Sequence, residues 1–177
     1  MRILFLALGF CSSPVTWAQY MAANSDPASA QDTRYKEGER AYRAGDHALA
    51  IAAFDDVITS APEHLNAHLQ RGFCHSVLLH HEQAVADFSM VIERRPEHIW
   101  AYTCRSAAFM KLGLYDRAIL DLERVLQLDP NNDEAYNNRG WAYKAIGEHE
   151  RACQDWNASR KLGNDEAKII LNNNRCK

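Results

Sequence analysis

Residues 64–81 read HLNAHLQRGFCHSVLLHH and hold five of the chain's eight histidines together with Cys74. Histidine and cysteine are the usual zinc ligands, and a pair spaced i, i+4 on a helix can share one ion. His64 and His68 have that spacing, and His80 adjoins His81. If the segment is helical, however, His68 and His80 lie about 18 Å apart at 1.5 Å per residue. The five rings cannot surround one ion, and zinc needs three or four ligands. No metal site is therefore expected. The remaining chemistry-bearing patterns are also sparse. There is no CxxC pair, no Gly-rich phosphate loop, no GxSxG, no HExxH and no pair of carboxylates in a catalytic setting. The chain reads as a non-enzyme without a cofactor.

The elements that must position these residues follow from composition and period. The chain has 177 residues, 47% hydrophobic and 24% charged, with a net charge of −3. That suits a globular protein with a sizeable core. Few glycines and prolines favour helix, and no Lys/Arg run marks a nucleic-acid face. The first 18 residues, MRILFLALGFCSSPVTWA, differ. One basic residue precedes an apolar run from Ile3 to Phe10, and Thr16 and Ala18 fit the −3 and −1 positions of a signal-peptidase site. The run is too short for a stable membrane span. We expect residues 1–18 to be a cleaved signal peptide and 19–31 a flexible leader. The mature protein would then be periplasmic or secreted, in an oxidising compartment, with no membrane insertion after cleavage.

Ala50, Ala84, Ala118 and Ala152 stand 34 residues apart. Pro62, Pro96 and Pro130 keep that spacing. So do Gly38, Gly72 and Gly140, with Ser106 in the third slot. Phe54, Phe88, Leu122 and Trp156 form another column, and Gly45, Gly113 and Gly147 one more, broken by Leu79. Several columns at one period define units 31–64, 65–98, 99–132 and 133–163. Each unit carries two apolar patterns of helical period, parted by a turn such as RAGDH or KLGLY. The proline closes the second helix. Residues 164–177 read as a capping helix and tail, with Asn164 as N-cap and Ala167, Ile170 and Leu171 at helical spacing.

With these columns the chain resembles the tetratricopeptide repeat family. YNNRGWAYKAIGEHERACQDW (136–156) and YTCRSAAFMKLGLYDRAILDLERVLQLDP (102–130) match its pattern: a large residue, a small one four on, an aromatic three later, then turn glycine, alanine and closing proline. The resemblance covers roughly residues 31 to 163. It implies an all-α fold, a right-handed α-solenoid of four helix-turn-helix repeats plus the capping helix.

Arg71, Arg105 and Arg139 share one column, and Asp87, Asp121 and Asp155 another, sixteen residues later. The first unit lacks both. Joint presence and absence points to Arg–Asp pairs between first and second helices, within a unit or across a junction, that fix helix register. A row of ligand-binding arginines is the alternative. Cys153 lies on the last second helix and Cys176 on the cap, so packing of the cap would bring them together. A disulfide there would stabilise by about 3 kcal/mol in the chain-entropy model. Two small buried residues are the alternative. Cys74 and Cys104, on adjacent first helices, have the same two options.

In the family, one face of each first helix lines a concave groove. Here that face carries Tyr35, Glu39, Tyr42, Leu69, Phe73, Trp100, Met110, Asn137, Trp141 and Lys144, among others. Aromatic residues off the core face mark interaction sites. Chaperone-binding members grip a C-terminal carboxylate with lysine and asparagine, but the matching positions here hold Tyr35 and Glu39, so that activity is not carried over. An apolar or aromatic-bearing peptide, or a partner helix, suits the groove. The expected function is a protein–peptide interaction scaffold. A metal- or redox-responsive protein using His and Cys, and a structural homo-oligomer, remain open.

Overall fold

The structure is a computed structural model that describes residues 27–174 and Cys176. The expected signal peptide lies outside the described residues, as does most of the leader. Among the described residues there are nine helices and no strand: α1 (Pro27–Arg43), α2 (His47–Ser60), α3 (Leu65–Val77), α4 (His81–Arg94), α5 (Ile99–Lys111), α6 (Tyr115–Leu128), α7 (Asp133–Ala145), α8 (His149–Lys161) and α9 (Asp165–Asn173). Packing is densest within α1/α2, α3/α4, α5/α6 and α7/α8, which form four stacked antiparallel pairs, and α9 covers α8. This is the right-handed α-solenoid with a terminal capping helix. Residues 27–31, assigned to the leader on sequence, are instead helical. Proline is tolerated in the first turn because its missing N–H has no intrahelical partner there.

Two kinds of turn alternate. Within a pair, the first helix ends in a Schellman motif. The residue just past the helix takes positive φ: Gly45 (79°), Leu79 (63°), Gly113 (73°) and Gly147 (86°). The next N–H then reaches back to a carbonyl five residues earlier, as in Asp46 to Ala41, His80 to His75, Leu114 to Phe109 and Glu148 to Tyr143. Between pairs, the second helix stops two residues before Pro62, Pro96 or Pro130. The residue ahead of each proline has left the helical region, at φ −142°, −136° and −137°, because the proline ring disfavours the helical conformation there. The following helix is capped by a side chain: His64 and His98 accept through Nδ1 from Ala67 and Ala101, and Asn132 and Asn164 accept from Ala135 and Ala167. The joint histidines are thus N-caps.

The core runs along the second helices at i, i+4 and i+7: Ala50/Phe54/Val57, Ala84/Phe88/Val91 and Ala118/Leu122/Val125, then Ala152/Trp156 with Ser159. Ser159 fills its slot by donating to the Asp133 carbonyl at 2.8 Å. The glycine column faces the aromatic column. A Cβ on Gly38, Gly72 or Gly140 would stand 2.6, 2.8 or 2.6 Å from the ring of Phe54, Phe88 or Trp156. In the third pair the smaller Leu122 leaves room for Ser106, which is buried and donates to the Thr103 carbonyl. The cap buries Ala167, Ile170 and Leu171 and leaves Ile169 exposed on its otherwise polar outer face.

Candidate functional site

The first helices α1, α3, α5 and α7 lie side by side and carry the residues assigned to the groove. The structure divides that set by depth. Tyr35, Tyr42, Phe73 and Trp141 are half-buried, each packed against at least one neighbouring ring. Tyr35 meets Phe54 at 5.7 Å and His64 at 4.9 Å, and Tyr42 meets His47 at 5.6 Å. Phe73 packs on Phe88 at 5.6 Å and Trp141 on Trp156 at 5.2 Å, both edge to face. Such pairs contribute about 0.5–1.5 kcal/mol beyond area burial. Each of these aromatics therefore presents one side outward and uses the other as packing. Burial, with the Glu39 carboxylate adding to it, pushes the Tyr35 hydroxyl above its ordinary value.

Leu69 and Met110 are half-buried and pack against core clusters. Glu39 pairs with Arg43 at 3.5 Å, and the Lys144 ammonium stands 4.9 Å over the Trp141 ring. Trp100 differs from all of these at 64% exposed. It borders an open cleft of about 290 Å³ with Ile99, Thr103, Asp129, Asn132 and Glu134, between α5 and the start of α7. Asn137, assigned to the same face, is only 6% exposed. Its backbone carbonyl accepts from the Trp156 indole at 3.3 Å, and its side-chain oxygen is buried without a partner. The larger ring of the fourth pair draws this asparagine into the packing, so it is not offered to solvent as expected.

The arginine column is structural. Arg71, Arg105 and Arg139 each hold a buried aspartate of their own pair by two parallel bonds, at 2.6 and 2.9 Å to Asp87, 2.7 and 2.9 Å to Asp121, and 2.8 and 2.8 Å to Asp155. The fork also reaches the preceding pair, from Arg71 to Asp55 at 2.6 Å and from Arg105 to Ser89 at 2.9 Å. The Asp87 and Asp55 hydrogen bonds hold the Arg71 guanidinium even more firmly in its charged form against the opposing effect of burial. Arg105 and Arg139 lie over the flanking rings Tyr102/Phe109 and Tyr136/Tyr143. In the second pair those ring positions are His68 and His75. His68 is buried between Asp87 (3.0 Å) and the Pro62 carbonyl (2.9 Å).

Cys153 and Cys176 form a disulfide with Cα atoms 5.5 Å apart. Cys74 and Cys104 are free thiols, pushed up to about 11 and about 12, mainly by burial. They are not reactive thiolates, which removes the support for a redox role through them. Among the described residues no group of three or more His, Cys, Asp or Glu side chains is placed to hold an ion, and no helix is long and apolar enough to cross a membrane. Sequence reasoning missed the contact between His75 and His80, whose Nδ1 atoms stand 3.4 Å apart. The signal was Leu79, the one break in the turn-glycine column.

A solenoid of helix pairs with one aromatic-bearing face defines a class of helical repeat scaffolds. A tetratricopeptide-repeat model matches residues 35–99 and a TPR-repeat model matches residues 107–147. The chain belongs to the tetratricopeptide-repeat family. No curated protein matches it. Among solved structures it is similar to MamA, at 20% identity over 75% of this chain and 72% of that one, with a TM-score of 0.72. MamA from Desulfovibrio magneticus RS-1 gives 19% identity over 81% and 79%, with a TM-score of 0.73. The first TPR domain of Spaghetti (RPAP3), bound to an HSP90 peptide, gives 25% identity over 66% and 93%, with a TM-score of 0.63.

Proposed function

We propose that the protein is a non-catalytic scaffold of the bacterial periplasm or exterior that holds a peptide or partner helix across the concave face of its first helices. The observation that carries this is Trp100, a large apolar ring left mostly in solvent beside a cleft with an acidic rim, Asp129 and Glu134. The outward sides of Phe73 and Trp141 extend the same face over the neighbouring pairs. A buried aromatic anchor is the residue type that dominates interface energies. The acidic rim and the Tyr35/Glu39 pair disfavour a C-terminal carboxylate, so an internal segment with an aromatic or aliphatic anchor and a basic flank is the better ligand. That a similar repeat domain has been solved with a bound peptide supports the mode of binding. The extracytosolic setting rests on the N-terminal sequence and on a disulfide at the opposite end.

The test selects peptides from a displayed library on the protein from residue 19 onward, then measures affinity by fluorescence anisotropy. Trp100→Ala alone is used, because Trp141 also packs on Trp156. Weakening by about 30-fold, the 2 kcal/mol of a hot spot, is expected. Equal affinity for wild type and variant refutes the groove. Fusion of residues 1–30 to a reporter that functions only outside the cytosol tests the compartment, and a silent reporter refutes it.

A further inference from the structure

The ladder arginines sit where rings and a carboxylate meet. Arg105 lies 5.7 Å from the Tyr102 and Phe109 ring centroids while its fork holds Asp121. Arg139 does the same between Tyr136, Tyr143 and Asp155. The cleft at the starts of α5 and α7 repeats the ring and the carboxylates without a cation of its own. Trp100 and Glu134 hold the same repeat position, 34 residues apart, on neighbouring first helices. Together with Asp129 they line that cleft. Among the described residues, no basic side chain pairs with Asp129 or Glu134 or lies over the Trp100 ring. Glu134 inclines toward α5: after burial, its carboxylate is the second influence holding the Cys104 thiol up, and Cys104 is one turn along α5 from Trp100.

The lining sets the charge and shape of what fits. The Thr103 hydroxyl donates to the Ile99 carbonyl at 3.1 Å. The Asn132 amide donates to Asp129 at 3.2 Å, and its oxygen caps α7. Apart from the indole N–H at the edge of Trp100, the side-chain donors are therefore engaged inside the fold. What the lining keeps for a ligand is oxygen lone pairs, on Thr103, Asp129 and Glu134. An anionic or apolar group would strip these acceptors of water and leave them unpaired. A guanidinium brings five N–H donors, no acceptor and a flat face that stacks on an aromatic ring. An ammonium is a strongly hydrated point charge with no such face. A cleft of about 290 Å3 has room for one side chain.

We propose that this cleft selects arginine, with the guanidinium of a bound segment stacked on Trp100 and forked onto Glu134, and Asp129 as the second carboxylate. The inference rests on the reading of the first-helix face as a peptide-holding surface, and it narrows the basic flank of that ligand to one residue type. Charge complementarity carries it: two carboxylates without a basic partner adjoin the most exposed ring of the face. Tryptophan is the best ring for a cation, and the attraction grows as water is displaced.

The test takes arginine-containing peptides selected on the protein from residue 19 onward. The arginine is replaced by citrulline, which keeps the shape and removes the charge, and separately by lysine. Anisotropy is expected to show citrulline weakening binding by at least about tenfold, as for a lost hydrogen bond to a charged group, with lysine in between. Glu134→Gln, at an exposed position that leaves the Asn132 cap in place, is expected to shrink the citrulline effect. A second measurement needs no variant: N-acetylarginine amide should move the Trp100 indole 1H–15N resonance, and N-acetylcitrulline amide should not. Identical responses to the two amides, equal affinity of arginine and citrulline peptides, or a citrulline effect untouched by Glu134→Gln overturns arginine selection. Selected peptides that lack arginine yet weaken on Trp100→Ala overturn it and leave the groove standing. A selection that yields no binder, or only binders indifferent to Trp100→Ala, overturns both.

Discussion

Replacing Gly140 by alanine separates two effects of opposite sign. Gly140 lies in the interior of α7, where helix propensity alone makes alanine better by about 1 kcal/mol. Its Cβ, however, would sit 2.6 Å from the Trp156 indole nitrogen and 2.8 Å from Cδ1. Trp156 is fully buried, held by its bond to the Asn137 carbonyl and by Trp141 on the other side. The ring cannot swing away without loosening both contacts. Overpacking costs about 1–3 kcal/mol, so the net expectation is a destabilisation of about 1 kcal/mol. The third pair supplies the control, since Ser106 carries a Cβ there and faces Leu122. Trp156→Leu alone leaves a cavity, at a cost of about 2–3 kcal/mol. Combined with Gly140→Ala it relieves the clash, so the double variant should fall short of the sum by about 1 kcal/mol or more. Urea unfolding followed by circular dichroism measures all three. A Gly140→Ala variant more stable than wild type, or strict additivity in the double, refutes the claim that the small-residue column exists to admit the ring.

Asp121→Ala strands the Arg105 guanidinium beside a buried site and is expected to cost about 3 kcal/mol in the same assay. Replacing the exposed Asp116, which lies outside the arginine ladder, should move the curve by less than about 0.5 kcal/mol. Cys153→Ser opens a 23-residue span and should lower stability by about 3 kcal/mol. Hydrogen exchange should then rise in α9 before it rises in α4 or α6. Cys74 and Cys104, protonated at neutral pH because burial raises both, should resist alkylation in the folded protein and react once it is unfolded.

The architecture was legible because its signals repeat. A glycine opposite an aromatic could be accidental once, but Gly38, Gly72 and Gly140 facing Phe54, Phe88 and Trp156 identify a contact, and the Ser106/Leu122 exchange confirms its steric logic. The Arg–Asp columns were readable for the same reason, though sequence left within-unit and across-junction pairing open, and the arginines turn out to do some of each. Depth was not legible. Helical periodicity gives the direction of a side chain and not how far its neighbours rise around it, so Asn137 and Trp100 shared one face on sequence and differ sharply in exposure. The start of α1 was not legible because residues 27–31 lie in the expected leader, ahead of the repeat columns, although proline is compatible with a helix's first turn. The His75–His80 contact was missed because spacing i, i+5 means nothing on a continuous helix. It becomes a contact only when the chain reverses at Leu79.

The Cys153–Cys176 bridge makes the two ends of the array mechanically unequal. A translocating unfoldase that engages the N-terminal side meets α1, which only non-covalent contacts hold to α2 and α3, and can peel the pairs away one after another. A machine engaging the C-terminal side reaches the covalent loop before it reaches any helix pair. It must either draw two strands through its pore together or stop. Reduction of one bond would convert the second case into the first, so the direction from which the protein can be dismantled is set by the redox state of its surroundings.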